Sequence, residues 1–338
     1  MTSSVPASIQ DLPKTDLHCH LEACFRHETL MEIGARIGKP VPADTATFRR
    51  DYLVAEPKES LEAMIAGFDR VRALWHDVPA IRRLTCEAVE DAAAQNVRLL
   101  ELRYSPDFIQ HDRTTPGFDE IHGAILDGIS DAAAPIAVGL IGIIRRTLPL
   151  QEAGKVADFI ISNADTFVGI DLADQEVDFP GHQFARLFER AKNAGMGVTI
   201  HAGEISLEES RRNVRDAIEI LGADRIGHGL HIIQDPALIE LVVRHEVPLE
   251  LCPSSNVLTG SVPNIDAHPF RQLIDAGVKT TINTDDPALF GIDWASEYQL
   301  AESALGLSAD DIRHCIATAR AASFIDQAEI NRHWPDAG

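Results

Sequence analysis

Three short stretches of the sequence end in residues that could share one metal ion. They are Thr15–His20, Thr199–Glu204 and Thr281–Asp286, and each follows or closes a strand-like run rich in β-branched residues. Together they offer a His-x-His pair, a distant third histidine and a distant aspartate, a ligand set suited to a divalent ion. The chemistry that such a set indicates is attack of metal-activated water on an electrophilic carbon.

The His-x-His pair has the spacing of two ligands on one strand. Residues two apart on a strand point to the same side, so His18 and His20 can hold one ion while Cys19 points away. Imidazole and carboxylate ligands favour zinc, although Fe, Mn or Co could occupy such a site in vitro. His228, between two glycines, is either a further nitrogen ligand or a base for the attacking water.

Acidic residues stand beside the metal-binding candidates. Glu204 follows His201 by three residues, and a carboxylic acid in a dry pocket can have its pKa raised enough to donate a proton near pH 7. Asp285 and Asp286 are adjacent and cannot both point the same way. One of them can therefore bind the metal while the other reaches the substrate.

Composition excludes several classes of function. The 338 residues carry 30 basic and 52 acidic side chains, a net charge of −22 that argues against nucleic acid as a partner. Five irregularly spaced cysteines form neither a disulfide framework nor a thiolate zinc site, which favours a reducing cytoplasm. The start does not resemble a signal peptide, and no run approaches the roughly 20 apolar residues that span a bilayer. We therefore expect a cytoplasmic protein without a membrane partner; the oligomeric state is open.

Short apolar runs alternate with helix-patterned segments almost from end to end. This alternation predicts an α/β fold, a single (β/α)8 TIM-type barrel domain over residues 1–338. A doubly wound open sheet is the alternative, weakened because no Gly-x-Gly-x-x-Gly follows any predicted strand. The eight predicted strands are Thr15–His18, Val97–Arg103, Ile136–Ile144, Phe167–Leu172, Gly197–His201, Arg225–His228, Pro248–Leu251 and Lys279–Asn283.

The segment between the first two predicted strands is too long for one crossover, which predicts extra helices inserted after strand 1 as a cap over the barrel mouth. Its apolar residues are expected mainly to pack between helices, with one or two on an apolar wall of the pocket: Leu61, Met64, Ile65, Phe68 and Leu74–Trp75. Further helices are predicted at Ala80–Gln95, Gly181–Ala194, Glu208–Leu221 and Pro236–Arg244. Active sites of such barrels form at the carboxyl ends of the strands, where the metal-binding candidates lie.

Six motifs, in order, resemble the adenosine deaminase family of metal-dependent hydrolases across roughly residues 12–295. They are His18–Glu22, Glu101–Pro106, His201–Glu204, Gly227–Gly229, Cys252–Asn256 and Asn283–Pro287. The resemblance implies one zinc ion per chain. Its ligands would be His18, His20, His201 and Asp285.

The resemblance also implies roles for the remaining polar residues. Glu204 would donate a proton to purine N1, His228 would lie beside the attacking water, and Asp286 would accept a hydrogen bond at the N7 side. Water would add to C6 of adenosine or deoxyadenosine, and ammonia would leave. Substrate contacts are implied at Glu22, Ser105, Asp174 and Asp286.

Two departures from the family pattern leave the substrate open. Glu22-Ala23 replaces the Asp-Gly that is frequent in the family near the ribose 5′-hydroxyl. Asp174-Gln175 replaces the Gly-Asp that lies near purine N3. Free adenine, aminofutalosine or a modified adenosine are alternative substrates. We expect Cys252 and Ser254–Asn256 to support the barrel mouth, and assign no role to Trp294 or His231.

Two other functions remain as alternatives. A different amidohydrolase-type enzyme would open a lactone, an amide or a phosphoester. Such sites often hold two metals bridged by a carboxylated lysine, but none of the predicted middle strands ends in lysine. A non-catalytic purine-binding relative is opposed by the complete set of polar residues.

Overall fold

A computed structural model of the chain describes residues 9–54, 56, 68–111 and 113–334. Eight parallel strands pair in chain order. All eight predicted strands are present, and the predicted (β/α)8 barrel is confirmed. Their bounds are β1 Lys14–His20, β2 Val97–Tyr104, β3 Ala137–Arg145, β4 Phe167–Ala173, β5 Gly197–Ala202, β6 Arg225–His228, β7 Leu249–Leu251 and β8 Thr280–Ile282.

The first and last strands meet just beyond the end of β8. Cys19 and Asp285 form a parallel bridge. The backbone N–H of His20 donates to the Asp285 carbonyl at 2.7 Å, and the N–H of Asp285 donates to the His18 carbonyl at 2.9 Å. The contact that closes the barrel therefore holds three of the predicted metal ligands together.

Several helices follow strand 1, as the sequence predicts. Those before β2 are α1 His27–Arg36, α2 Thr45–Tyr52, α3 Phe68–Arg72 and α4 Val78–Ala94. In this inserted segment Leu74 and Trp75 are buried and Phe68 lines the central pocket. Leu61, Met64 and Ile65 lie outside the described residues.

The other helices connect successive strands or follow β8. Those up to β6 are α5 Pro106–Gln110, α6 Phe118–Ala132, α7 Leu150–Ser162, α8 Ala185–Asn193 and α9 Glu208–Glu219. The remaining ones are α10 Pro236–Arg244, α11 Pro253–Leu258, α12 Phe270–Asp275, α13 Pro287–Phe290, α14 Trp294–Ser303, α15 Ala309–Ala322 and α16 Gln327–His333. Within the described residues, no helix is long and apolar enough to cross a membrane.

The segment after α15 packs against the amino-terminal side of the barrel strands. The Phe324 ring lies against Gly169 and Gly197, and a Cβ added at Gly169 would come within 2.6 Å of the ring. A Cβ added at Gly139 would lie 2.7 Å from Ile325. Glycines in β3, β4 and β5 therefore make room for residues 324 and 325.

Replacing Gly197 by alanine is expected to lower the free energy of unfolding by about 1–3 kcal/mol, because the new methyl group overlaps the Phe324 ring. Urea unfolding measures the change. The control is Gly154→Ala in α7, where nothing lies within 4 Å of the added Cβ, and where alanine should stabilise by about 0.5–1 kcal/mol. Equal effects at the two glycines would contradict the packing assigned to Phe324.

Candidate active site

Four predicted ligands converge at the carboxyl ends of β1, β5 and β8. The Nε2 atoms of His20 and His201 are 3.2 Å apart. Asp285 Oδ1 lies 3.1 Å from His18 Nε2 and 3.2 Å from His20 Nε2. One ligand atom from each of the four residues lies within 4.8 Å of the others, so the described fold brings the whole predicted set together.

The separations and the donor atoms suit a zinc ion. Tetrahedral zinc with bonds of about 2.0–2.1 Å keeps its ligand atoms about 3.3 Å apart. His18 Nε2 is a buried atom that makes no hydrogen bond within the described part of the chain. Three imidazoles and one carboxylate form a donor set that zinc accepts readily.

In two of these imidazoles a carboxylate lies at Nδ1, the ring nitrogen on the side away from the other predicted ligands. Glu250 Oε2 lies 2.9 Å from His18 Nδ1, and Asp171 Oδ2 lies 2.9 Å from His201 Nδ1. Burial alone would raise the pKa of Glu250, but Arg103 and Arg225 hold it well below its usual range. An ionised carboxylate only accepts hydrogen bonds, so it keeps the ring proton on Nδ1 and leaves the Nε2 lone pair for a metal.

Asp285 is held rigidly as a carboxylate. Its backbone adopts φ +65°, a strained conformation for a residue other than glycine. The Ser255 hydroxyl donates to Oδ2 at 2.6 Å, which leaves Oδ1 facing the histidines. Burial opposes ionisation, yet interaction with His18, followed by His20 and His228, keeps the pKa of Asp285 well below its usual range.

A pocket of about 750 Å³, measured to its open mouth, lies over these residues. Its lining among the described residues includes the predicted Glu22, Ser105, Asp174, Glu204, His228 and Asp286. Burial, followed by the charges of Asp285 and Glu176, raises the pKa of Glu204 to about 8. Glu204 is therefore protonated at neutral pH and can donate a proton.

Asp286 is a second buried acid in the pocket. Burial and the neighbouring charge of Asp285 raise its pKa well above the usual range. Its Oδ1 is buried and has no hydrogen-bond partner among the described residues. The family resemblance implies that Asp286 accepts a hydrogen bond at the N7 side, but N7 of adenosine carries a lone pair and no hydrogen. A bond to N7 itself therefore requires a protonated carboxyl as the donor, which the raised pKa of Asp286 favours.

His228 closes β6 beside the metal-binding group. Its Nε2 lies 3.7 Å from Glu204 Oε2 and 3.9 Å from Asp285 Oδ2. Steric constraints explain why both residues next to His228 are glycines. A Cβ at Gly227 would come within 2.9 Å of the His18 ring, and Gly229 adopts φ +69°.

Comparison with known proteins agrees with this geometry. A family model described as adenosine deaminase matches residues 13–333. The chain belongs to the adenosine deaminase family. A curated adenosine deaminase from Shewanella denitrificans is 37% identical over 302 residues, covering 88% of this chain and 90% of that protein.

Solved structures related to this adenosine deaminase family member share its fold. An adenine deaminase from Arthrobacter aurescens superposes with a TM-score of 0.84 at 25% identity, covering 95% of this chain and 98% of the other. An amidohydrolase from Burkholderia ambifaria with bound Zn gives 0.84 at 27% identity, covering 98% and 92%. The family is metal-dependent, and this chain has a His/Asp group that can hold a metal.

The two departures from the adenosine deaminase pattern have clear local structures. Glu22 Oε1 accepts a hydrogen bond from the Ser105 N–H at 2.8 Å, while Oε2 is buried without a partner among the described residues. Burial raises the pKa of Glu22 to about 8. Asp174 has φ +83°, a left-handed conformation that a glycine at this position would adopt without strain. Its carboxylate accepts from the Thr147 hydroxyl.

Trp294 and Asp16, to which the sequence assigns no role, also lie at this site. Trp294 Nε1 donates to Asp16 Oδ2 at 2.8 Å, and Asp16 Oδ1 accepts from the His18 N–H at 2.9 Å. Trp294 therefore supports β1 at the metal-binding pair. The expected support from the residues that follow β7 is present. Ser255 contacts Asp285, and Asn256 contacts His228.

Proposed function

We propose that the chain catalyses zinc-dependent hydrolytic deamination of adenosine and deoxyadenosine, giving inosine or deoxyinosine and ammonia. One observation carries the proposal. Two protonated carboxyls, Glu204 and Asp286, share a pocket with the His/Asp group. C6 of adenine lies between two ring acceptors, N1 and N7, so two acid donors beside a metal suit an attack at that carbon.

The proposed ligands are His18, His20, His201 and Asp285. A zinc ion bound there supplies the Lewis acidity that makes water nucleophilic near neutral pH. Glu204 protonates N1, which draws electrons away from C6 as the water oxygen adds. Asp286 donates to N7 and fixes the orientation of the purine. Collapse of the tetrahedral carbon then breaks the C6–N bond and releases ammonia, which takes one of the two protons of the added water, while the other proton returns to Glu204.

Purified, zinc-loaded protein should remove the adenosine ultraviolet band near neutral pH, with one zinc per chain by elemental analysis. Adenine and aminofutalosine are run in parallel. Inert adenosine and deoxyadenosine would overturn the substrate assignment, and two ions per chain would favour a binuclear hydrolase.

The charge of the pocket favours a nucleoside over a nucleotide. Arg145 is the one lysine or arginine among the described lining residues, whereas five lining residues are Asp or Glu. Its Nε and Nη2 donate to Asp107 Oδ2 at 2.8 and 2.5 Å. Because Asp107 already neutralises this guanidinium, no unpaired lysine or arginine among the described lining residues is left to bind a substrate phosphate.

Replacing Asp107 by asparagine is expected to raise the ratio of kcat/KM for AMP to that for adenosine about tenfold. The asparagine oxygen can still accept from the Ser105 hydroxyl, now 2.7 Å away, while Arg145 loses its counter-charge. Steady-state assays of both substrates give the ratio. Asp127→Asn, which removes the carboxylate 3.2 Å from exposed Arg82, is the matched control. An unchanged ratio in the Asp107 variant would refute the role of this ion pair.

We further infer a cytoplasmic enzyme without nucleic-acid or membrane partners. The net charge of −22 and five irregularly spaced cysteines support this inference.

A further inference from the structure

A chain of hydrogen bonds behind His228 begins at a backbone donor. The N–H of Phe270, at the start of α12, donates to His268 Nδ1 at 3.2 Å. A backbone N–H can only donate, so His268 Nδ1 must carry a lone pair. The ring proton of His268 is therefore on Nε2.

The same reasoning passes through Asn256 to His228. His268 Nε2 lies 3.1 Å from Asn256 Oδ1, so the amide oxygen accepts the His268 proton. The amide nitrogen of Asn256 then faces His228 Nδ1 at 3.2 Å. Since an amide NH2 only donates, His228 Nδ1 accepts, and the single proton of this ring is on Nε2.

Both imidazoles are held in the neutral form. Because Nδ1 of each ring accepts a hydrogen bond, neither ring carries a second proton, and burial lowers the pKa of His268 to about 4. Asn256 is completely buried and both rings are nearly so. No solvent competes for these bonds, so the tautomers are fixed by the protein.

His228 therefore differs from the ligand histidines in the group behind its ring. Carboxylates behind His18 and His201 keep their protons on Nδ1 and free Nε2 for a metal. An amide donor behind His228 has the opposite effect, so its Nε2 presents a proton to the pocket.

We propose that Asn256 and His268 are positioning residues that hold His228 as the Nε2–H tautomer, making it a hydrogen-bond donor to the attacking oxygen rather than a base or a metal ligand. This inference rests on the proposed function only for the identity of that oxygen. A protonated Nε2 on His228 also leaves the second candidate group, His228, Cys252 and Asp285, without a nitrogen lone pair on the pocket side for an additional ion. This tautomer also replaces both roles that the sequence leaves open for His228, metal ligand and base, with that of a donor.

Nitrogen-15 NMR of zinc-loaded protein with labelled histidines tests the tautomer directly. In the wild-type protein His228 should show a protonated Nε2 and an unprotonated Nδ1. In Asn256→Asp a carboxylate faces Nδ1, so the proton should move to Nδ1. The kcat/KM should then fall about 100-fold, as expected for loss of one oriented donor, with zinc content unchanged.

His268→Ala removes only the outer bond of the chain and should cost about tenfold in kcat/KM with a mixed His228 tautomer. Its matched control is His231→Ala, another buried histidine, whose Nε2 instead contacts the Ser261 carbonyl at 3.0 Å. That variant should leave the His228 signals unchanged.

A protonated Nδ1 on wild-type His228, or an unchanged tautomer in the Asn256 variant, would overturn the inference. Because the spectra need no turnover, they remain decisive if adenosine proves inert. Conversely, a wrong tautomer in an enzyme that deaminates adenosine would refute this inference alone.

Discussion

Replacing Glu204 by glutamine is expected to lower kcat/KM for adenosine about 10³-fold while leaving the zinc content unchanged. The amide has nearly the same shape and can donate a hydrogen bond to N1, but it cannot transfer a proton there. Glu204 is not among the four metal-binding residues. The loss should therefore fall on the chemical step, measured as kcat, more than on KM.

The control for this substitution is Glu208→Gln. Glu208 is an exposed acid in the first turn of α9, and its replacement should leave both activity and zinc binding unchanged. Equal loss of zinc and activity in the Glu204 variant would mean that Glu204 is a ligand. Full activity would mean that the proton comes from another group.

The same acid should set the basic limb of the pH profile. Glu204 acts in its protonated form, so its contribution is present below its pKa and is lost as the pH rises through that value. Burial raises this pKa to about 8, and a nearby zinc ion lowers it again by favouring the carboxylate. The basic limb of kcat/KM is therefore expected at or below pH 8 and should be absent from the residual activity of Glu204→Gln.

The sequence was sufficient to predict the barrel and the residues at its open end. Barrel strands covered on both faces are nearly continuous apolar runs, so a polar residue that ends such a run is conspicuous. His201 ends such a run at residues 197–200, and Asp285 comes shortly after the β-branched stretch at residues 280–282. The inserted segment was also predictable as helical, because it is too long for a simple crossover.

The residues behind the site were harder to predict because their partners are distant in sequence. His18 and its partner Glu250 are 232 residues apart, and only strand register brings them together. A signal was nevertheless present. Glu101 and Arg103 are charged residues two apart within an apolar strand, and Glu250 stands between two leucines. Charges in such positions point into a barrel and require partners there.

The directions of hydrogen bonds could not be predicted from residue types. Asp286 is expected from the resemblance to accept, but burial and the charge of Asp285 raise its pKa well above the usual range, which favours a donor. The sequence leaves His228 open as a ligand or a base, and the contacts that bear on its tautomer come from Asn256 and His268, which the sequence does not connect to it. Protonation and tautomer depend on surroundings that only the packed structure defines.

The most consequential group behind the metal-binding residues is Glu250. Its Oε1 accepts from Arg225 Nε at 2.6 Å and from the Thr199 hydroxyl at 3.0 Å. Its Oε2 accepts from Arg103 Nη2 at 2.8 Å and from His18 Nδ1 at 2.9 Å. All of these groups are buried. One carboxylate therefore satisfies four donors and compensates two buried guanidinium groups.

The network of charged side chains extends from Glu250 along the inside of the barrel. Arg225 Nη2 donates to Glu101 Oε2 at 2.5 Å, and Glu101 Oε1 accepts from the Ser323 hydroxyl and the Phe324 N–H, each at 2.6 Å. Arg103 donates to Asp171 at 2.9 Å. The three carboxylates and two guanidiniums leave one net negative charge, which balances the one positive charge that a divalent ion retains when Asp285 binds it.

Replacing Glu250 by glutamine is expected to weaken zinc binding about 10–100-fold and to lower the free energy of unfolding by about 3–5 kcal/mol. The amide NH2 must face one pair of donors, either Arg225 and Thr199 or Arg103 and His18. In both orientations two buried guanidiniums lose their shared negative charge. Chelator competition measures the zinc affinity, and urea unfolding of zinc-loaded and zinc-free protein measures the stability.

Glu101→Gln separates the effect on zinc from the effect on the fold. Glu101 pairs with the same Arg225 and is equally buried, but none of its hydrogen bonds reaches a histidine. We expect a comparable loss of stability with a change in zinc affinity below threefold. If the two variants lose zinc equally, the metal-binding group responds only to the general integrity of the barrel. If Glu250→Gln alone weakens zinc binding, the carboxylate acts through the His18 ring, because that contact is what distinguishes Glu250 from Glu101.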